Sequence, residues 1–234
     1  MFQFLFQLIF IFYIILLIFY VLDLQKYNVN AIIQKCNTDA QINNSIINLN
    51  PVLFTINYPL DVKDFIYMDN KEIKKINIKK EEKISIEKNK ELIKLVDENY
   101  LKDIFKDYKL PLISNKSVSI YKNHNYNQLK HCFHNHTILT IIGGNAKIFL
   151  FNPKHKDEIL QKDINTIKKW GNIKVIQKGD SIVIPPNWYY FLEIKEYAII
   201  LHQDINNIFT FIPNYIRENY THFKFDNIRN KIGL

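Results

Sequence analysis

The residues of this chain best suited to chemistry are three histidines within six positions, His131, His134 and His136. A neutral imidazole is the commonest side-chain ligand for transition metals. Side chains two residues apart on a β-strand lie on the same face, so His134 and His136 could hold a metal together. His202 on a later strand, or Glu193, could complete such a site. The alternative, a histidine cluster satisfied by hydrogen bonds, stays open at this point.

A second segment of interest runs from Gly179 to Glu193. Its pattern indicates a Gly-Asp turn, a buried apolar strand and a sharp corner of sequence Pro185-Pro186-Asn187-Trp188. Proline cannot donate a hydrogen bond to a sheet, so the strand should end at this corner. The chain has no glycine-rich phosphate loop, no Gly-x-Ser-x-Gly elbow and no His-Glu-x-x-His motif. These absences argue against the nucleotide-binding, serine-hydrolase and zinc-protease classes.

Both segments resemble motifs of one family, the cupin-like and Jumonji C oxygenases of the factor-inhibiting-hydroxylase type. The segment from Gly179 resembles that family's Gly-Asp-x-φ-φ-Ile-Pro-x-x-Trp-x-His motif, in which φ is an apolar residue. The segment from His131 to Pro153 is similar to its His-x-Asp-x-x-x-Asn motif, which leads into a Gly-x-Lys strand that ends at proline. The resemblance covers about residues 51–212 and implies a double-stranded β-helix, the cupin-like jelly roll.

The resemblance also implies which positions would hold Fe(II) and its co-substrate 2-oxoglutarate. His131 keeps the first ligand position, whereas Phe133 occupies the carboxylate position and Tyr190 that of the second histidine. Thr137 stands for the family's asparagine, and Lys147 falls one residue out of register with the lysine that pairs with the co-substrate. Iron of this class needs two imidazoles and a carboxylate, and a phenol with a pKa near 10 is a poor substitute. We therefore predict an inactive member of this fold without a cofactor.

Three functions are compatible with this resemblance. The first is a non-catalytic binding or structural protein. The second is an Fe(II)/2-oxoglutarate-dependent hydroxylase with a non-standard ligand set around His131. The third is a small-ligand or glycan binder that uses the mouth of the barrel.

The elements that must position these residues are mostly short strands. Alternating or continuous apolar runs, separated by turn residues, predict strands at residues 51–56, 118–121, 137–151 with a break at Gly143-Gly144-Asn145, 173–176, 181–185 and 197–201. A charged hairpin within 71–94 and a helix over 90–108 precede most of them. We predict a mainly β fold with flanking helices over residues 51–212, followed by a helical C-terminal tail at 213–234.

The N-terminal residues 1–22 contain no charged side chain. About 20 apolar residues suffice for a helix to cross a bilayer, and the segment lacks the basic start and small-residue cleavage site of a signal peptide. We predict one N-terminal transmembrane helix, hence a single-pass membrane protein, with a polar connector at 23–50. The few charges that follow the segment leave its orientation open.

Charge and composition limit the partners. The formal net charge is +8, but the densest lysine stretch is interleaved with glutamates, so nucleic acid is not an expected partner. Two cysteines make a disulfide framework a poor prediction. The expected partners are membrane lipid through residues 1–22 and a protein or second copy through the C-terminal tail. The Asn-, Ile- and Lys-rich composition is typical of AT-rich genomes and, with the resemblance, predicts a membrane or virion protein of a giant DNA virus.

Overall fold

The computed structural model describes residues 2–24, 27–56, 82–85, 104–107, 112–125, 129–207, 210–211 and 214–216. The helices in this part of the chain include α1 (Phe2–Leu24), α2 (Asp39–Ile47), α3 (Lys156–Gln161) and α4 (Ile164–Ile167), with 3-10 turns at Pro153–His155 and Lys168–Trp170. The strands are β1 (Gln34–Lys35), β2 (Val52–Thr55), β3 (Glu82–Ser85), β4 (Leu112–Asn125), β5 (Lys130–His131), β6 (His136–Phe151), β7 (Asn172–Gln177), β8 (Asp180–Ile184) and β9 (Tyr189–Asn207). The predicted mainly β class with flanking helices is confirmed.

Three predicted segments lie largely outside the described residues. The charged hairpin within 71–94 is described only at 82–85, as β3, and the helix over 90–108 only at 104–107. The C-terminal tail at 213–234 is described only at 214–216, which are helical.

The long antiparallel pair of β6 and β9 forms the centre of the sheet, whose strand order is β1-β2-β8-β6-β9-β4-β3. The first half of β6 lies between β8 and β9, and its second half lies between β7 and β9. β7 and β8, which correspond to the predicted strands at 173–176 and 181–185, flank the turn at Gly179 and could have formed a hairpin with each other. Instead both pair with β6, because β6 bends and its two halves lie against different neighbours.

The bend of β6 occurs at Gly143-Gly144-Asn145, where the sequence predicted a break between two strands. The pairing with β9 shifts register between Ile141 and Gly143 and again between Gly144 and Lys147. Gly144 has a positive φ of 72°, a conformation that glycine adopts without strain. Extra residues at such a bulge bend a strand while it stays hydrogen-bonded. One bent strand therefore replaces the two that were predicted.

The apolar side chains form an interior and two outer layers. The interior holds residues from both halves of β6 and β9 together with β8. One outer cluster packs α2 and Phe105 on the first half of β6, and the other packs α3 and α4 on its second half through Ile159 and Ile167. Burial of each apolar side chain contributes about 1.5–3 kcal/mol, so both helical layers stabilise the barrel.

The predicted connector at 23–50 contains regular structure that packs on the barrel. β1 pairs in parallel with β2, and the Thr38 side chain caps α2 by accepting a hydrogen bond from the Gln41 main-chain N–H. α2 buries Ile42 and Ile46. The sequence did not predict this helix, because polar residues separate its two buried isoleucines and only one face of the nine-residue helix is apolar.

Helix α1 extends over the segment predicted as a membrane anchor. Its described side chains, at positions 3–15, 17 and 18, are all exposed, including Phe6 at 72%. Among the described residues, no helix reaches the combined length and apolar character of a membrane span.

Candidate functional site

His131 is held among aromatic rings on the outer face of the barrel. It lies opposite Tyr189 in the β5–β9 pair, and the two rings stack with centroids 4.3 Å apart and an angle of 14° between their planes. The Phe133 ring packs against the same imidazole in an edge-to-face arrangement, with ring centroids 4.3 Å apart. The His131 Nε2 atom lies 3.2 Å from the main-chain oxygen of Asn187. Tyr189 packs with Phe149 and Phe191 in the outer cluster, so His131 faces away from the interior.

The corner after β8 decides this arrangement. Asn187 adopts a left-handed φ of 67°, which asparagine tolerates better than most residues. Its N–H donates to the Cys132 carbonyl at 2.9 Å, and the Cys132 N–H donates to the Trp188 carbonyl at 2.8 Å. These two bonds fix the approach of β5 to the start of β9. Trp188 and Tyr190 then point into the interior, where both are buried.

The residues at the family's ligand positions do not fit an iron ion. A two-histidine, one-carboxylate site needs three donors that converge on one face. His131 lies on the outer face with Tyr189, whereas Tyr190 belongs to the interior cluster. Phe133 is buried and carries no donor atom. Within the described part of the chain, no three or more histidine, cysteine or acidic side chains come together as a metal site requires.

The two candidate co-substrate residues lie on opposite faces of β6. Thr137 is buried, and its hydroxyl donates to Asp204 Oδ1 at 2.9 Å. Lys147 is on the outer side, where its ammonium lies 4.9 Å from the Phe149 ring centroid and 4.0 Å from a Glu193 carboxylate oxygen. Glu193 is also paired with Lys168. The structure therefore does not bring Thr137 and Lys147 to one binding position.

The His134–His136 pair is also divided. His134 precedes β6, and its Nδ1 atom lies 3.0 Å from the Asn206 side-chain amide. His136 begins β6 on the other side, with its ring against Phe105 at 5.5 Å between centroids. Because His134 lies in a bend rather than in the strand, the alternation rule does not apply to the pair. Neither Glu193 nor His202 joins them in a common cluster.

A polar network that the sequence did not indicate lies where β5, the start of β6 and the end of β9 meet. The Cys132 thiol donates to the Thr137 hydroxyl at 3.3 Å, which in turn donates to Asp204. The other Asp204 oxygen lies 3.6 Å from His134 Nε2. Asn206 continues the network from His134 and accepts a hydrogen bond from Asn214 at 2.7 Å. Asp204 lies two positions after His202 on one strand, but no sequence pattern links it to His134 or Thr137, which lie about 70 residues earlier.

The electrostatics of this network do not favour a nucleophilic cysteine. Burial raises the pKa of the Cys132 thiol to about 12, and the Asp204 carboxylate acts in the same direction. A cysteine nucleophile needs the thiolate at neutral pH, and Cys132 is a thiol there. The network instead joins the segment before β6 to the end of β9, so its chemistry is that of a structural hydrogen-bond chain.

His136 should make the domain sensitive to acid. Burial lowers the pKa of His136 to about 3, although a hydrogen bond to the Ile46 main chain opposes the change. The unfolded chain, with a histidine pKa near 6.5, binds a proton that the folded chain rejects, so stability falls as the pH drops from about 6.5 towards 3. We expect this residue alone to lower the free energy of unfolding by about 2 kcal/mol between pH 7.5 and pH 5. Urea unfolding of the wild type and of His136→Gln at both pH values measures it. An equal pH dependence in the two proteins would contradict it.

Comparison with known proteins shows the fold. No protein-family model matches the sequence, and no curated protein matches it. The structure is similar to an oxidoreductase of the 2OG-Fe(II) oxygenase family from Burkholderia pseudomallei, with a TM-score of 0.50, 8% identity, and coverage of 76% of this chain and 95% of that one. At this identity the similarity concerns the fold alone.

Two further similar structures have lower scores. An RmlC-like cupin from Shewanella frigidimarina matches with a TM-score of 0.30, 13% identity, and coverage of 41% of this chain and 68% of that one. Drosophila melanogaster CENP-C bound to CAL1 matches with a TM-score of 0.28 and 12% identity over 37% of this chain, which spans 62% of the CENP-C chain. The fold conclusion rests on the Burkholderia pseudomallei structure: the fold is a cupin-like jelly roll, mainly β with flanking helices.

Proposed function

We propose that this protein is a non-catalytic binding or structural domain of cupin-like fold, held at a membrane by helix α1. One observation carries the first part: the position that would supply the first iron ligand, His131, is stacked on Tyr189 on the outer face. Its expected partner position, Tyr190, lies in the interior.

The packing of the interior supports a domain that does not bind a co-substrate there. Tyr190 and Trp188 lie among aliphatic side chains contributed by β6, β8 and β9. Trp188 and Leu139 are fully buried, and Tyr190 is 5% exposed. Interiors of this kind are close-packed, so a 2-oxoglutarate molecule would have to displace these rings. The surface of the domain is then what binds a partner.

The composition of α1 supports the second part. Although the described residues alone contain no membrane span, the 23 residues of α1 as a whole extend about 34 Å at 1.5 Å per residue, which is comparable with a bilayer core of about 30 Å. Its first charged residue is Asp23. The described side chains are exposed on all sides, and a helix that is apolar all round is stable in lipid or in a protein core rather than in water. A single-pass location in a host or virion membrane, and pairing through the C-terminal tail, stay predictions.

Metal analysis tests the non-catalytic part. We expect the full-length protein, purified in detergent and loaded anaerobically with Fe(II) and 2-oxoglutarate, to hold far less than one iron per chain. After oxygen is then admitted as the oxidant, we also expect no succinate formation above that of His131→Phe, which keeps an aromatic ring on Tyr189 but removes both nitrogen donors.

The contrary result is equally specific. Stoichiometric iron and 2-oxoglutarate turnover that are both lost in His131→Phe would establish the hydroxylase instead. Tyr189→Phe is the matched control, because it preserves the stacked pair and leaves the imidazole in place. A loss in both variants would indicate a folding defect, which circular dichroism detects.

A further inference from the structure

The point where the chain joins the barrel after α1 is defined by hydrogen bonds. The Asn152 side-chain amide donates to the main-chain oxygens of Asn28 at 2.9 Å and Val29 at 3.3 Å. The Asn28 side chain donates to Asn50 Oδ1 at 3.0 Å. Three residues lie between Leu24, the last residue of α1, and Asn28, so the Cα atoms of Leu24 and Asn28 can be at most about 14 Å apart. If α1 crosses a bilayer, the barrel surface near Asn152 must lie close to that bilayer.

The helical layer over residues 153–170 begins at this same point. Asn152 caps the first 3-10 turn by accepting a hydrogen bond from the Lys154 N–H at 3.0 Å. The layer buries Ile159 and Ile167 against the outer cluster of the barrel. Its other side is exposed and includes the four lysines Lys154, Lys156, Lys162 and Lys169.

Trp170 ends this layer and lies among cations. The ammonium groups of Lys169 and Lys162 lie 4.7 Å and 4.9 Å from its ring centroid. The His155 ring also stacks with the Trp170 ring, with centroids 6.2 Å apart and 18° between the planes. Trp170 is half-buried. Tryptophan with lysine is typical of surfaces at the membrane–water boundary, where the ring lies at headgroup level and the ammonium groups meet lipid phosphates.

The charge of this surface is positive despite nearby acids. Asp157 and Glu158 lie in the first turn of α3. Asp163 is engaged as the cap of α4, where it accepts from the Thr166 N–H at 3.0 Å. Capping leaves Asp163 ionised, because its hydrogen bonds to Thr166 lower the pKa of its carboxyl. The four exposed lysines therefore outnumber the three carboxylates by one. Two exposed apolar side chains, Val29 at 50% and Ile32 at 65%, follow the membrane-proximal end of the chain.

We propose that Lys154, Lys156, Lys162, Lys169 and Trp170 form a lipid-facing ledge that docks the domain on anionic phospholipid headgroups. This proposal rests on the proposed anchoring by α1 and adds to it an orientation of the barrel. Each lysine within a Debye length of an anionic surface strengthens the association roughly fivefold. Four such lysines on a tethered domain suffice to hold one face against the membrane.

Lysine footprinting on the full-length protein tests the ledge. The protein is reconstituted into vesicles of phosphatidylcholine alone or with about one third phosphatidylserine, and lysine acetylation rates are measured by mass spectrometry. We expect the four ledge lysines to react at least fivefold more slowly in the phosphatidylserine vesicles, and 1 M salt to abolish the difference. Lys178, in the turn between β7 and β8, is the control and should react equally in both.

The outcomes separate the two proposals. Equal ledge rates in both vesicles, with the chain still resistant to alkaline extraction, would overturn the ledge and leave the anchoring intact. A chain that alkali removes from both vesicles would overturn the anchoring, and the ledge with it.

Quenching of tryptophan fluorescence by brominated lipid gives a second measurement. The chain has two tryptophans, and Trp188 is buried. The fluorescence of the wild type should therefore be quenched in the phosphatidylserine vesicles, whereas that of Trp170→Phe should not. Equal quenching of the two proteins would also overturn the ledge.

Discussion

Removal of α1 is expected to move the protein from the membrane fraction to the soluble fraction. The truncated chain should begin at Tyr27, because Asn28 and Ala31 already belong to the folded domain through hydrogen bonds and burial. A start at residue 40 would remove β1 and the Thr38 cap of α2. Fractionation followed by alkaline extraction is the measurement. We expect nearly all of the full-length chain in the pellet and nearly all of the truncated chain in the supernatant.

Two sets of substitutions show whether the full-length chain stays in the pellet because α1 is inserted in the bilayer or because it is attached to the membrane surface. Phe12→Lys together with Ile15→Lys places two charges near the centre of α1, where each costs about 2.5–3.5 kcal/mol in a bilayer. Asp23→Lys changes charge at the end of the helix, where a lysine can reach the headgroups. The central pair should release the protein and Asp23→Lys should not. Retention of the truncated chain in alkali-washed membranes would refute the anchor.

Gly144→Ala is expected to destabilise the domain by roughly 3–5 kcal/mol, or to prevent folding. A Cβ atom at Gly144 would lie 2.1 Å from the main-chain oxygen of Tyr197, far inside contact distance, and the residue has a positive φ of 72°. Tyr197 belongs to β9, the central partner of β6. Neither backbone can move aside without breaking the hydrogen bonds between these two strands, so the clash cannot be relieved locally.

Gly179→Ala is the control for the effect of φ alone. Gly179 also has a positive φ, of 92°, but its added Cβ would lie 3.5 Å from the nearest atom, the Ile56 main-chain oxygen. We expect a loss of only about 1–2 kcal/mol there. Urea unfolding of both variants measures the difference. Equal losses would show that backbone strain, rather than the close approach of β6 and β9, determines the requirement for glycine at position 144.

The bend at Gly144 also shows why the fold could be predicted only in part. Before the bend the interior residues of β6 have odd numbers, Leu139 and Ile141, and after it they have even numbers, Ala146, Ile148 and Leu150. Alternation along the sequence identified the strands but assumed an unbroken period of two. A bulge reverses which residues face inward, and the pairing with β9 is what places the bulge.

Prediction of the candidate site from the sequence was limited in the same way. The motif resemblance aligned His131 and Tyr190 with ligands of one metal, whereas β5 pairs Lys130 with Tyr190 and His131 with Tyr189. One residue of register thus decides that the imidazole lies outside the barrel. The network through Thr137, Asp204 and His134 could not be predicted either, because its members come from segments about 70 residues apart.

The sequence by itself determined what depends on neighbours along the chain: the apolar helix α1, the turn at Gly179, the corner at Pro185-Pro186, and a mainly β class with flanking helices. Each follows from side-chain periodicity or from the conformational limits of glycine and proline. Only the tertiary structure decided which face each strand presents, that β1 and α2 belong to the barrel, and that the interior is closed by Trp188 and Tyr190. Those outcomes depend on strand register and on packing between segments that are distant in the sequence. Alternative registers differ by many small contacts, which a short sequence pattern does not predict.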